Sequence, residues 1–341
     1  MRNERLTYRI LLFISALLIS ACSNDSDEIK EPDNCLSMVS FTRGDEPSNP
    51  FTVTEDYSPV GVFLVDGDGT TPMQSGRFVF KANETIWKSS IEVTPNQDYA
   101  IYGYAPADAV TASISNQSLS GATLTFTHLP AVSSQDICFV VGVQQLESKT
   151  DAKNIPFGKF DFKGKGQNQN YVNLLMDHLY AAVCLQMTIG TEYAELRSIK
   201  IRKLELQTTK ATATATVVLA SNTTNTSPVQ SATYSGMTGT KSSATFFDST
   251  EGEALNADEV KEATCCFVPD LDNELMLVTT YDVYDRNGNK ISERTATNDL
   301  PPLNVARGQR VTLSLTIEPT YLYVLSDPDL DNPTVNVSNG N

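Results

Sequence analysis

The chain has 341 residues and is acidic: 41 aspartate and glutamate residues outweigh 25 lysine and arginine residues, which gives a formal net charge of −16. A surface of that sign repels phosphate groups, so nucleic acid and anionic lipid headgroups are excluded as the main partners. Threonine, serine, valine and tyrosine are plentiful, and apolar residues often alternate with polar ones. This composition is typical of an all-β protein.

The first residues have the layout of an export signal. Three arginines flank the start of an apolar run over residues 10–18, and the tetrapeptide Ile19–Cys22 closes it. Such a run is too short to span a membrane and is typical of a signal peptide. The tetrapeptide resembles a bacterial lipobox, in which the cysteine carries a diacylglycerol after cleavage. We predict a signal peptide over residues 1–21 and a lipid on Cys22 that tethers the chain to a membrane; an ordinary secretory signal is the alternative.

The stretch after the lipid site is polar and acidic. Residues 22–35 contain few apolar side chains, which predicts a flexible tether. Its serine- and acid-rich start resembles the surface-export signal of Bacteroides-type lipoproteins, and a plain linker is the alternative.

A first set of predicted strands follows the tether. The opening strand, Leu36–Thr42, stops at the breaker-rich stretch Arg43–Pro47, which should be an exposed loop. Further strands are predicted at Ser58–Val65, Arg77–Lys81, Thr85–Lys88, Asp98–Tyr104, Ala122–Thr127 and Ile137–Val143. Short strands with turns about every ten residues favour a β-sandwich. A polar, glycine-rich stretch over 157–169 marks its end, so the first sandwich is predicted at 36–169.

A second sandwich is predicted over residues 170–318. Its strands are expected at Tyr171–Met176, Leu179–Met187, Ser198–Leu206, Lys210–Leu219, Ser243–Phe247, Glu262–Val268, Leu275–Tyr284, Lys290–Arg294 and Val311–Ile317. Asp285–Asn289 should be a type I′ hairpin turn, because its Asn-Gly pair tolerates positive φ angles. Asn222–Gly239 is rich in threonine and serine without an apolar pattern, and it is predicted to be a loop.

Two short β segments remain in a tail over residues 319–341. Thr320–Leu325 and Thr334–Val337 are separated by aspartates and prolines. An apolar edge strand without a partner aggregates, so we expect the tail to pair with another chain. Alternatively, it caps its own domain.

Five cysteines remain if Cys22 carries a lipid, and an odd number cannot all pair within one chain. They are Cys35, Cys138, Cys184, Cys265 and Cys266. Their spacing matches no C-x-x-C metal site, and three of them lie in apolar runs, where a thiol packs as a small hydrophobic group. We expect free buried thiols, with a disulfide as the alternative.

The sequence contains no motif for catalysis, a metal or a cofactor. Its two histidines, His128 and His178, lack metal-binding spacing, and nucleophile-elbow and phosphate-loop motifs are absent. His178 follows Asp177 and could imitate part of a catalytic dyad, but a lone histidine at a strand start is usually structural. We predict no enzyme, although the two carboxylates of a glycosidase would come together only in the fold. The tripeptide Asp248–Thr250 resembles an O-glycosylation sequon of Bacteroides-type bacteria, with Ser249 as the acceptor.

Four stretches together resemble the fimbrillin family, the pilin-like lipoproteins of Bacteroides-type bacteria. They are the lipobox with a first strand that ends Phe41-Thr42-Arg43, the core strand Val60–Phe63, the aromatic strand Asp98–Pro106 that follows Trp87, and Asp177–Val183, which is similar to the H-x-x-A-x-V opening of the family's second domain. The resemblance covers nearly the whole chain after Cys22.

The resemblance implies two transthyretin-like β-sandwiches in tandem and a structural subunit of a surface pilus that contributes to cell adhesion. It implies that an arginine-specific protease cuts after Arg43 and that losing the first strand opens an apolar groove. The tail of another subunit fills that groove by strand addition. The donor residues would be Tyr321, Leu322, Tyr323, Val324, Leu325, Val335 and Val337.

The implied partners are other pilin subunits and, through the lipid on Cys22, the outer membrane. The tail favours a stalk subunit, since anchor subunits usually lack one. Two features depart from the family pattern. Arg43 is followed by Gly44-Asp45 instead of a small apolar residue, and aspartates and prolines interrupt the tail.

Two other functions stay open. A surface carbohydrate-binding lipoprotein that does not polymerise should show exposed aromatic side chains, yet Trp87 is the only tryptophan. A secreted hydrolase needs a convergent cleft of acidic or histidine side chains.

Overall fold

The computed structural model describes residues 34–43, 58–67, 73–80, 86–150, 157–220, 228–269 and 274–317. The predicted signal peptide, Cys22, the predicted tether up to residue 33 and the whole predicted tail lie outside the described residues. Most of the described chain is β-strand and its one helical element is four residues long, which confirms the all-β class. No described helix is long and apolar enough to cross a membrane.

The described elements are twenty strands and one helical turn. In chain order they are β1 (Cys35–Arg43), β2 (Val60–Asp66), β3 (Gln74–Phe80), β4 (Trp87–Glu92), β5 (Asp98–Ala105), β6 (Thr111–Ser118), β7 (Gly121–Pro130), β8 (Val132–Ser133), β9 (Cys138–Leu146), β10 (Asp161–Lys163), β11 (Tyr171–His178), β12 (Ala181–Ile189), α1 (Thr191–Ala194), β13 (Ser198–Thr208), β14 (Thr212–Ala220), β15 (Val229–Thr238), β16 (Ser242–Ala254), β17 (Lys261–Phe267), β18 (Leu275–Tyr284), β19 (Lys290–Asp299) and β20 (Arg310–Ile317).

The first sheet has eight strands in the order β10-β5-β2-β3-β4-β1-β11-β9, and an extra pairing of β5 with β9 gives it a barrel-like closure. The first sheet is packed on both of its faces, as its strand β2 shows. Val62 and Leu64 point into one apolar cluster, while Phe63 and Val65 point into a second, larger one. A strand buried on both faces reads as a continuous apolar run, as β2 does.

Three four-stranded sheets complete the described fold. Their strand orders are β20-β12-β17-β8, β16-β13-β18-β19 and β15-β14-β7-β6. Their inner faces supply most of the larger cluster, with Val183, Leu204 and Val217 all fully buried. Alternate residues of β14 are buried, the pattern of a sheet with one face on the core.

Backbone pairing crosses residue 170, where we placed the boundary between two sandwiches. β11 follows that residue, yet it pairs with β1 and with β9. Likewise, β14 pairs with β7 from the first half of the chain. The division into 36–169 and 170–318 therefore stays a prediction.

The loop predicted at Asn222–Gly239 is wrong over most of its described part, since β15 runs from Val229 to Thr238. β15 is an edge strand paired only with β14 among the described strands, and its side chains are exposed or half-buried. An edge strand of this kind needs no apolar alternation, so the periodicity that marks core strands is absent from it.

The turn predicted at Asp285–Asn289 joins β18 and β19, but its type differs. Gly288 has a φ of +81°, whereas Asn287 has no positive φ, and a type I′ turn needs both. The Asp285 carboxylate accepts hydrogen bonds from the backbone N–H groups of Asn287 and Asn289, both 2.8 Å long. These bonds reinforce a turn that the backbone also closes: Gly288 N–H donates to the Asp285 carbonyl over 3.0 Å, and Asp285 N–H donates to the Asn289 carbonyl over 2.9 Å.

Candidate functional site

The first strand lies in the middle of the first sheet. β1 runs parallel to β11 from Ser37 opposite Tyr171 to Arg43 opposite Met176, and antiparallel to β4 on its other side. The prediction of a strand over Leu36–Thr42 is confirmed, with one more residue at each end. If β1 were withdrawn, β4 and β11 would face each other across a gap with their backbone groups unpaired.

The apolar side of β1 is deeply buried. Leu36 and Met38 are both 0% exposed and lie in the cluster that contains Phe78 and Val172. Burying one side chain of this size contributes about 1.5–3 kcal/mol. Farther along the strand, the ring of Phe41 packs edge-on against Trp87 at a centroid distance of 5.9 Å.

The other side of β1 joins a row of buried polar groups. The Ser40 hydroxyl donates to Asn173 Oδ1 over 2.8 Å, and Asn173 Nδ2 donates to Gln144 Oε1 over 2.6 Å. Asn173 is 4% exposed and Gln144 is 2% exposed. On the β4 side of β1, the Ser89 hydroxyl donates to the Leu36 carbonyl over 2.7 Å. Because polar groups at this depth need partners, these contacts fix which residues of β1 stand where.

Most of the other residues predicted to take part in processing or assembly lie at the edge of the described ranges or outside them. Arg43 is the last residue of β1, and the loop that follows it lies outside the described residues. Cys22 and the donor residues of the tail, from Tyr321 to Val337, lie outside them as well. Ser249 lies in β16, where its hydroxyl accepts a hydrogen bond from the N–H of Gly252. Lipidation, cleavage, strand donation and glycosylation stay predictions.

No disulfide joins the five cysteines within the described part of the chain. Cys138, Cys184, Cys265 and Cys266 are buried, and Cys35 is half-buried. Burial raises the pKa of the Cys265 thiol to about 12. Cys138, Cys265 and Cys266 lie in the two apolar clusters.

A second candidate site is a buried cluster of Asp136, Cys138 and His178. Cys138 opens β9 and His178 ends β11, and the two are register partners. Nδ1 of His178 lies 2.6 Å from Asp136 Oδ2 and 3.5 Å from Cys138 Sγ, and that thiol lies 2.9 Å from the same carboxylate oxygen.

An ion pair supports the cluster from the neighbouring residue. Arg307 Nη1 lies 2.8 Å from Asp177 Oδ2 and also donates to the His178 carbonyl. Its guanidinium carbon stands 5.3 Å from the centre of the Phe139 ring, in a cation–π contact. Through these contacts Arg307, in the turn before β20, connects to the start of β9 and the end of β11.

This cluster does not have the arrangement of a catalytic triad. In a triad the histidine uses one ring nitrogen for the nucleophile and the other for the acid, whereas here Nδ1 faces both the thiol and the carboxylate. Asp136, Cys138 and His178 are between 0% and 8% exposed, so a substrate could not reach the thiol.

The cluster does not match a zinc site either. Ligands about 2.0–2.3 Å from a tetrahedral zinc stand about 3.3 Å or more apart. The 2.6 Å between Nδ1 of His178 and Oδ2 of Asp136 is a hydrogen-bond distance. From the sequence, His178 and Cys138 stood out separately, as a lone histidine and as a cysteine in an apolar run, and Asp136 did not stand out at all. The spacing of Asp136 and Cys138, two apart at a strand start and hence on one face, was the available signal.

No model of a known protein family matches the chain, and no curated protein matches it. Several solved structures resemble it in fold. One is a proposed cell adhesion protein from Bacteroides ovatus, with 12% identity and a TM-score of 0.43 over 83% of this chain and 91% of that chain. Another is a fimbrial protein from Bacteroides vulgatus, with 12% identity and a TM-score of 0.41 over 83% and 95%.

A third structure, from Bacteroides thetaiotaomicron, is described as a proposed polysaccharide-binding protein. It has 9% identity and a TM-score of 0.34 over 84% of this chain and 93% of that chain.

Proposed function

We propose that this protein is a structural subunit of a surface pilus, exported as a lipoprotein, that assembles by strand exchange after its first strand is removed. The observation that carries the proposal is the position of β1. This strand closes the gap between β4 and β11, buries Leu36 and Met38 completely, and ends at Arg43. A cut after Arg43 would detach it from the rest of the chain and leave a groove shaped for one strand.

The proposal places the precursor on the outer membrane through a lipid on Cys22, and the processed subunit in the pilus. Its partners are other pilin subunits, whose tails supply the missing strand. Main-chain hydrogen bonds to both edges of the groove give affinity, and alternate side chains give register. The protein then contributes to cell adhesion as part of a fibre.

Carbohydrate binding without polymerisation has less support. A sugar-binding face usually offers an exposed aromatic ring, but Trp87 is packed between two phenylalanines. Its ring centre lies 5.9 Å from that of Phe41 and 5.4 Å from that of Phe80. An enzyme also has less support, because the Asp136–Cys138–His178 cluster is closed to solvent.

The N-terminal residue of the assembled protein tests the proposal. Polymers isolated from cells should begin at Gly44, whereas the unassembled precursor should begin at lipidated Cys22. Arg43→Lys keeps the charge and length of the side chain but removes the arginine that the protease recognises, so this variant should stay monomeric and folded. Polymers that begin at Cys22, or an Arg43→Lys variant that polymerises like the wild type, would overturn the proposal.

A further inference from the structure

Any strand that replaces β1 has to satisfy the carboxamide of Asn173, which is buried to 96%. This inference rests on the proposed function and names the register of the exchange. In the intact chain, Asn173 Oδ1 accepts a hydrogen bond from the Ser40 hydroxyl, and Asn173 Nδ2 donates one to Gln144 Oε1. After β1 leaves, the acceptor loses its donor, and an incoming apolar residue would bury it unsatisfied at a substantial cost.

The geometry of β1 defines what the groove accepts. Leu36 and Met38 point into the apolar cluster. The register with β11 then shifts between Met38 and Ser40, so Val39 is an extra residue and Ser40 stands opposite Asn173. A strand that fits the groove parallel to β11 should therefore have five residues in this order. An apolar residue comes first, then any residue, a second apolar residue, an extra residue at the register shift, and a serine.

The tail contains that pattern in the same direction. Leu322-Tyr323-Val324-Leu325-Ser326 aligns with Leu36-Ser37-Met38-Val39-Ser40. The two apolar positions, the apolar extra residue and the serine all coincide. Asp327 and Pro328 follow, and because proline has no N–H to donate, strand pairing would end there.

We propose that Ser326 of one copy of this chain takes the place of Ser40 in the next copy and donates its hydrogen bond to Asn173 Oδ1. Leu322 and Val324 fill the positions of Leu36 and Met38, and the donated strand runs parallel to β11. A slip of one residue would turn Leu322 and Val324 away from the apolar cluster, and it would also leave Asn173 without a donor. Ser326 and Asn173 together set the register of the joint.

Assembly of the full-length chain after cleavage at Arg43 tests the role of Ser326. The tail is the only part altered in these variants, so the groove is unchanged. Ser326→Ala should weaken the joint about tenfold or more, measured as the subunit concentration at which polymers dissociate. Ser326→Thr keeps the hydroxyl and should assemble like the wild type. Asn336→Ala is the control, because it removes a polar side chain from the second tail segment, Thr334–Val337.

The outcomes separate the two proposals. If the cleaved wild type does not polymerise, strand exchange itself is wrong. If the wild type polymerises and Ser326→Ala does so equally well, strand exchange stands and the register is wrong. If Asn336→Ala is the variant that weakens the joint, the second tail segment occupies the groove and the register is again wrong.

Crosslinking measures the same contact directly. In a parallel pair, neighbouring residues come within disulfide reach, so N173C combined with S326C should give an intersubunit disulfide in polymers under mild oxidation. Cys35 leaves with β1 on cleavage and cannot interfere. N173C combined with L325C is the matched control, and equal or greater crosslinking in that control would overturn the register.

Discussion

At the scale of single residues, His178 connects two strand ends through buried polar contacts. Its imidazole lies 2.6 Å from the Asp136 carboxylate, and both groups are nearly closed to solvent. Removing one partner of a buried pair leaves the other in apolar surroundings. His178→Ala should therefore lower the free energy of unfolding by about 3 kcal/mol, measured by urea titration.

The second histidine is the matched control for this change. His128 is exposed and has a φ of +57°, a backbone conformation that asparagine tolerates well. His128→Asn should change the free energy of unfolding by no more than about 0.5 kcal/mol. Equal effects at the two histidines would mean that the Asp136–Cys138–His178 cluster contributes nothing special to stability.

The thiol of Cys265 gives a prediction that depends on pH. Burial raises its pKa to about 12, and only the thiolate reacts with iodoacetamide. At pH 8 the thiolate fraction of such a group is about one in ten thousand, so the native peptide with Cys265 and Cys266 should stay unmodified by mass spectrometry. In urea it should be labelled quickly. Because the folded state keeps this proton, its contribution to stability is present below about pH 9 and is lost as pH rises towards 12.

Half-buried Cys35 is the internal reference for that experiment, and its native labelling should be the faster of the two. Native labelling of Cys265 at the rate seen in urea would show that β17 opens readily.

At the scale of elements, the turn between β18 and β19 depends on the backbone of one glycine. Gly288 has a φ of +81° and nothing lies within 4 Å of where a Cβ would stand. Gly288→Ala should therefore destabilise the protein by about 1 kcal/mol through backbone strain alone. Gly166 has equally open surroundings and no positive φ, so Gly166→Ala should be neutral or slightly stabilising. Thermal unfolding of the two variants measures the difference.

Strands with a buried face could be predicted from the sequence, whereas two edge strands, β6 and β15, could not. The apolar run of β2 and the alternation of β14 carry the period that burial imposes, so both were predicted within a few residues. β15 and β6 were missed because their side chains face solvent or lie half-buried. No burial pattern marks such strands, and only pairing with β14 and β7 places them in a sheet.

The candidate site was predictable as a strand but not as a site. Leu36, Met38 and the stop at Arg43 were visible in the sequence. The parallel pairing of β1 with β11 joins residues separated by more than a hundred positions, which local periodicity cannot show. The same holds for Ser40 and Asn173, since neither residue stands out until the fold brings them to 2.8 Å.

At the scale of the whole molecule, we expect the tail to be needed for the proposed assembly and not for folding. β20 ends at Ile317 and pairs with β12 along its full length. Deleting residues 319–341 therefore leaves every described strand in place. We expect the deletion to change the midpoint of thermal unfolding by no more than about 2 °C and to abolish polymers.

Mixing truncated subunits with full-length subunits tests this prediction more directly. A subunit without residues 319–341 still has a groove once β1 is cleaved away, so it can accept a tail, but it has none to donate. Added to full-length subunits before cleavage, it should end each growing fibre and shorten the polymers in proportion to its share, as measured by light scattering. If the truncated chain unfolds, the tail belongs to the core of its own subunit. If it stays folded and leaves polymer length unchanged, subunits do not join through the tail, and strand donation is wrong.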